Sequence, residues 1–203
     1  MTDSVAGLLL AAGAGRRLGG PKALLEVDGE PLVRRGIRLL HDGGCAPVVV
    51  VVGASADRVR ALCGGADVVE APDWDTGMGA SLRTGLAALP GAVRAVVVAL
   101  VDQPLVTAAA VARLRAAHAD GAVAAVAAYG GRPRNPVLLD RAAWDGVRTS
   151  AVGDEGARGW LRAHSELVVQ VDCTDVGAPD DLDTPDDLAA LTALTARRSG
   201  APR

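Results

Sequence analysis

Residues 8–25 read Leu8-Leu9-Leu10-Ala11-Ala12-Gly13-Ala14-Gly15-Arg16-Arg17-Leu18-Gly19-Gly20-Pro21-Lys22-Ala23-Leu24-Leu25. An apolar run ends in a glycine-rich loop that carries two arginines and a lysine. This is the pattern of a buried strand opening into a loop shaped for polyphosphate. Gly13, Gly15, Gly19 and Gly20 permit a tight backbone path that brings N–H groups close to phosphate oxygens. Arg17 and Lys22 add full positive charge at the same place.

Two familiar phosphate loops fail on mechanism. The dinucleotide fingerprint G-x-G-x-x-G requires a third glycine where Gly13-Ala14-Gly15-Arg16-Arg17-Leu18 has leucine, and arginines crowd the pyrophosphate position. The pattern G-x-x-x-x-G-K-[ST] is met in spacing by Gly15 and Gly20. However, Pro21 separates Gly20 from Lys22, and Ala23 offers no hydroxyl for magnesium.

From that first strand outward, apolar runs alternate with helical patterns. Strands are expected over 5–10, 47–52, 66–70, 94–101, 123–127, 136–139 and 167–171. Helices are expected over 31–41, 55–62, 81–89, 107–118 and 155–163, with a last one from Pro185. Ser55, Ser81, Thr107 and Thr184 are the expected caps. Such alternation predicts one three-layer α/β/α domain with a mostly parallel sheet. Ligands of these sheets lie beyond the carboxyl ends of the strands, so the loops after Leu10, Val52, Leu100 and Val171 should carry the chemistry.

The 203 residues suit one domain, expected over 1–198, with 199–203 as a frayed tail. Half of the chain is hydrophobic, yet it holds no Phe and one Tyr, so the core must be Val, Leu and Ala. That composition suits a sheet buried on both faces. A net charge of −3 gives no electrostatic case for nucleic acid. Cys45, Cys63 and Cys173 are odd in number and form no C-x-x-C pair, which predicts a reducing, cytoplasmic setting without structural zinc. No apolar run is long enough for a membrane span or follows a charged leader, so no membrane partner is expected.

Asp102 follows the apolar run 95–101 and precedes Gln103-Pro104. A carboxylate at the exit of a buried strand is rigidly placed, and magnesium takes one or two carboxylates plus phosphate oxygens and water. In Asp181-Leu182-Asp183-Thr184-Pro185-Asp186-Asp187, an extended backbone would point Asp181 and Asp183 the same way. The stretch reads either as a well-capped acidic helix start or as the source of a second metal carboxylate. Trp74 to Gly85 is a glycine loop running into a helix; its amides and the Ser81 hydroxyl suit a base edge or a ribose. Arg132-Pro133-Arg134-Asn135-Pro136 reads as a proline-fixed loop, and Arg134 and Arg158 suit a phosphorylated acceptor. The histidines at 41, 118 and 164 adjoin no ligand set, and no Ser/His/Asp nucleophile stands out.

Leu10-Ala11-Ala12-Gly13-x-x-x-Arg17-Leu18-Gly19-x-x-Lys22 resembles the signature of the nucleotidyltransferases, with Leu18 in place of methionine. Asp102-Gln103-Pro104, Gly77-Met78-x-x-Ser81-Leu82-Arg83 and Asp181-x-Asp183-Thr184-Pro185 are similar to further elements of the MobA-like NTP transferases. Arg132-Pro133 and Gly153-Asp154-x-Gly156-Ala157-Arg158 resemble acceptor-side motifs of molybdenum cofactor cytidylyltransferases, with Asn135 where many relatives carry histidine. The resemblance runs from Leu8 to Leu188. It implies a nucleotide-diphospho-sugar transferase fold of Rossmann-like type. It also implies Arg17, Lys22 and Asp102 as catalytic residues, with a magnesium or manganese ion on Asp102 and Asp183, Asp181 standing in reserve. Substrate contacts would come from Leu10, Ala11, Ala12, Gly13, Gly15, Gly19, Gly77, Ser81, Arg134, Asn135 and Arg158.

The implied reaction is transfer of CMP from CTP to molybdopterin with loss of pyrophosphate, the product passing to a molybdenum hydroxylase apoenzyme. Relatives using GTP tend to read Leu-Ala-Gly-Gly, and the Ala12 methyl narrows the base site toward a pyrimidine. Three alternatives stay open: transfer to a sugar, polyol or small acid phosphate, guanylyl transfer from GTP, or a non-catalytic carrier of nucleotide or cofactor. An NAD-dependent oxidoreductase is further off, since Val52-Gly53 supplies no acid for a ribose.

Overall fold

The computed structural model describes residues 4–199, with side chains through 193. Strand β1 (Val5–Leu10) is buried along its whole length and sits mid-sheet, with β4 (Val48–Val52) on one side and β6 (Ala95–Leu100) on the other, both parallel to it. Between β1 and β4 lies a hairpin of β2 (Glu26–Val27) and β3 (Glu30–Pro31). Its turn residues Asp28 and Gly29 both have positive φ, as the favoured two-residue hairpin turn requires. β5 (Asp67–Glu70) continues the parallel set beyond β4. On the other flank come β7 (Ala124–Tyr129), β8 (Arg132–Asp140) and β9 (Val168–Asp172). The order is β5-β4-β1-β6-β8-β7-β9, and only β8 runs against the rest.

Alternation along β1 explains the layers. Val5 and Leu9 enter one core cluster, and Ala6, Leu8 and Leu10 enter the other. The first cluster lies under α1 (Leu32–Asp42), α4 (Ala108–Ala119) and α7 (Pro185–Ser199). The second lies under α3 (Met78–Ala88), α5 (Trp144–Ser150) and α6 (Arg158–Ala163); the short α2 (Ala56–Arg60) follows β4. The expected single three-layer α/β domain with a mostly parallel sheet is therefore what forms. Helix α7 carries the ordered chain to Ser199, and residues 200–203 of the expected tail lie outside the described residues. No helix among the described residues is long and apolar enough to cross a membrane.

Three local expectations are corrected. First, α3 begins at Met78, not at Ser81. Asp154 accepts a hydrogen bond from the Met78 N–H at 3.3 Å, so the cap comes from a distant loop, and Ser81 is buried inside the helix. Second, Arg134 and Asn135 stand on a strand, not in a loop. The β7–β8 register shifts by a bulge between Val126 and Ala127, opposite Asn135 and Pro136, and a bulge tolerates a proline that cannot donate. Third, the helix expected from Glu155 starts only at Arg158, because Gly156 (φ 55°, ψ −127°) interrupts the chain.

Candidate active site

The glycine loop leaves β1 at Ala11, whose N–H donates to the Val51 carbonyl at 2.9 Å. Gly15 adopts φ +57°, and a Cβ there would lie 2.0 Å from the Gly20 carbonyl oxygen, so only glycine fits. The loop closes on itself through Leu18 N–H to Gly15 O at 2.9 Å and Gly20 N–H to the same oxygen at 3.3 Å. A second short turn, Lys22–Leu24, then aims Lys22 back across the sheet.

Lys22 Nζ donates to Asp102 Oδ2 at 2.7 Å and to Asp183 Oδ1 at 2.6 Å. These residues come from the first loop, the exit of β6 and the approach to α7, and they meet over 80 and 161 residues of chain. Burial pulls the lysine pKa down, but the hydrogen bonds and charges of Asp102 and Asp183 outweigh it and hold the ammonium above its usual value. The Leu182 N–H donates to the Asp102 carbonyl at 2.8 Å, which fixes the acidic segment beside the β6 exit. Thr184 and Asp187 cap α7 reciprocally: the Thr184 N–H donates to Asp187 Oδ2 at 2.8 Å, and the Asp187 N–H donates to Thr184 Oγ1 at 3.2 Å. The acidic stretch is thus a capped helix start that also sets the Asp183 carboxylate on the Lys22 ammonium.

Asp181, the reserve carboxylate, accepts from the Gln103 side chain at 2.8 Å. Its withdrawal from water raises its pKa, opposed by the Gln103 hydrogen bond.

A cavity of about 390 Å³ opens beside the lysine. Leu10, Ala12, Gly13, Gly15, Lys22, Gly77, Ser81 and Asp102 all contribute to its wall. Asp183 joins through Lys22. Ala11 is buried behind the loop, and Arg17 and Gly19 are exposed on it outside the lining; Arg16 stands in the wall instead. Arg134 and Asn135 are outside the cavity, but β8 runs antiparallel to β6 and so carries them to the end of the sheet where Asp102 emerges. Arg158 is exposed at the start of α6.

Sequence reasoning passed over Trp74, Asp75 and Asp154 as individual lining residues. Gly53, directly after β4, packs against Trp74: a Cβ there would lie 2.4 Å from the ring. Gly77 is likewise required, since at φ +120° its Cβ would meet the Gly153 carbonyl at 2.5 Å.

The cation preference of the site follows from its donors. An ammonium already sits between the carboxylates of Asp102 and Asp183, so the pair is built to hold positive charge. Among the described residues, no group of three or more His, Cys, Asp or Glu could hold a metal ion. Two carboxylates completed by phosphate and water suit Mg²⁺ or Mn²⁺.

A glycine loop at a strand exit, a lysine and two carboxylates around a cavity define a site for handling a nucleoside polyphosphate. The chain belongs to the MobA-like NTP transferase domain family, whose model matches residues 7–168. It is 39% identical over 200 residues to the nicotine blue oxidoreductase of Paenarthrobacter nicotinovorans, covering 92% of this chain and 96% of that one. It is 35% identical over 130 residues to the probable molybdenum cofactor guanylyltransferase of Opitutus terrae, covering 59% and 63% of the two chains. Among solved structures, Rv0371c of Mycobacterium tuberculosis in complex with manganese superposes with a TM-score of 0.77 at 27% identity, covering 94% of this chain and 98% of that one. The architecture is the nucleotide-diphospho-sugar transferase fold.

Proposed function

We propose that this chain transfers CMP from CTP to molybdopterin, releasing pyrophosphate. The observation that carries the reading is the Lys22 ammonium held between Asp102 and Asp183 at the wall of the glycine-loop cavity. An acceptor phosphate oxygen forms a bond to the α-phosphorus, and the bond from that phosphorus to the bridging oxygen of pyrophosphate breaks. Loop amides and Lys22 meet the charge gathering on the leaving pyrophosphate, with Arg17 reaching in from the exposed turn. Asp102 and Asp183 would hold Mg²⁺ or Mn²⁺, which neutralises phosphate oxygens when bound. No protein nucleophile is needed; catalysis is positioning plus electrostatics.

The Ala12 side chain lies in the cavity wall and favours the smaller pyrimidine base. Arg134 and Asn135, at the same end of the sheet, and Arg158 would receive the acceptor phosphate. The cytidylated cofactor would pass to a molybdenum hydroxylase apoenzyme in the cytoplasm.

Pyrophosphate release with purified molybdenum cofactor and Mg²⁺, compared across CTP, GTP, ATP and UTP, tests this. Release with CTP alone is expected. Release with GTP would make the protein a guanylyltransferase. Silence with all four, and then with a panel of sugar and polyol phosphates, would leave the non-catalytic carrier.

The similarity to nicotine blue oxidoreductase supports a second reading, an oxidoreductase acting on nicotine blue, for which a nicotinamide cofactor would be the hydride partner. The absent third glycine at Leu18 weighs against it. Oxidation of NADH or NADPH by nicotine blue in the presence of the protein would establish it.

A further inference from the structure

We propose that the Lys22 ammonium is the resident counter-ion of the Asp102–Asp183 pair, and that a divalent cation gains those carboxylates only when nucleotide phosphates arrive to take the ammonium. This rests on the nucleotidyl-transfer reading and adds the order in which its components assemble.

Lys22 donates to Asp102 at 2.7 Å and to Asp183 at 2.6 Å, both short charge-assisted contacts. The lysine and Asp102 side chains are only 18% and 23% exposed, so salt screens this contact weakly. A cation entering alone must compete for the oxygens that the ammonium holds. Success would strand the lysine's positive charge beside a divalent ion, in a site partly withdrawn from water, and like charges there repel strongly. Among the described residues no further ligand cluster compensates.

A cation arriving on a triphosphate meets a different balance. The phosphates offer the ammonium a new anion, so Lys22 transfers to phosphate oxygens while the cation takes the vacated carboxylates. Every charge ends paired. Metal and nucleotide binding are thereby linked through one side chain, and the linkage is reciprocal.

The test is Mn²⁺ binding to the full chain without nucleotide or acceptor, followed by the electron paramagnetic resonance signal of free Mn²⁺. Wild type should bind weakly. Lys22→Met, which removes the charge and keeps the length, should bind Mn²⁺ about tenfold more tightly or better, within the roughly 5–150-fold range of such couplings. Lys22→Arg should behave as wild type. Mn²⁺ should also raise the melting temperature of Lys22→Met more than that of wild type. Should Lys22→Met fail to fold, Lys22→Gln carries the same expectation. Binding to the uncharged variant no tighter than to wild type, yet abolished by adding Asp102→Asn, overturns the counter-ion proposal and leaves the metal site standing. Binding that ignores Asp102→Asn removes the metal assignment itself, and both readings fall.

Discussion

Gln103 donates its side-chain amide to Asp181 Oδ1 at 2.8 Å, and the same nitrogen reaches the Pro179 carbonyl at 3.2 Å. Gln103 is 5% exposed, so this tie is made away from bulk water. It fastens the segment before α7 to the turn that follows β6. Asp181 is held by that fastening, and Asp183, two residues on, accepts from Lys22. If Asp183 serves the site as proposed, Gln103 would act as its positioning residue.

Gln103→Leu should therefore lower kcat more than it raises the nucleotide KM. A loss of about a hundredfold is expected, since a displacement near 1 Å can cost that much. Steady-state kinetics beside circular dichroism would check it. Unchanged kcat in a folded variant would show that the acidic segment holds its place unaided.

Asp102→Ala should reduce turnover by at least about 10²–10³-fold, the range for removing one preorganised electrostatic element. The fold should persist, because Asp102 lies at the sheet's rim with its side chain part-exposed. The paired measurement is pyrophosphate release with and without EDTA. Wild-type rates in the variant would remove Asp102 from the mechanism.

Gly15→Ala should disable the loop. The added methyl would sit 2.0 Å from the Gly20 carbonyl at a φ of +57°. The loop must open to accept it, which separates the amides from the lysine. Nucleotide affinity measured by calorimetry should fall at least about tenfold, an energy of about 1.4 kcal/mol. Gly20→Ala, where a Cβ meets nothing within 4 Å, is the control and should bind nearly as wild type.

Ala12→Gly should shift nucleotide preference from CTP toward GTP, because removing the Ala12 methyl widens the cavity wall. Competition between CTP and GTP in the pyrophosphate assay reads it directly. An unmoved ratio would place base choice elsewhere in the wall, with Trp74 or Asp154 next in line.

Cys45 is buried, and burial pushes its thiol up to about 12 against the opposing pull of Arg115. The neutral thiol is the form the fold favours. Its contribution to stability is therefore complete below the ordinary cysteine value of 9.0 and is lost as pH rises from there toward about 12. Iodoacetamide at pH 8 should leave Cys45 unmodified in the native protein and label it in urea. Rapid native labelling, located by peptide mass, would contradict the burial.

The sequence alone determined the class of fold and the ends of the site. Val5–Leu10 and Ala95–Leu100 are apolar runs, the first leading into a glycine loop and the second reaching Asp102 through Val101, the pattern of a strand buried on both faces. Gly15, Lys22 and Asp102 stand out as candidates from the loop and the strand exit they occupy, and Asp183 is preferred to Asp181 only through the family resemblance; the structure brings Lys22 into contact with both carboxylates, Asp102 and Asp183. Other features lacked a local signature. Residues 132–135 read as a proline-fixed loop because a proline cannot donate to a ladder, and only the pairing of β7 with β8 shows one strand running from Arg132 through a bulge opposite Asn135 and Pro136. Asp154 caps α3 across 76 residues, so no window of sequence around Ser81 could reveal where that helix begins. The meeting of Lys22 with two carboxylates 80 and 161 residues away was likewise decided by tertiary structure. Local sequence fixes the dihedral preferences and the hydrophobic period of each element. Which charges share one low-dielectric space depends on how the sheet orders its strands, and the packing of the whole core sets that order.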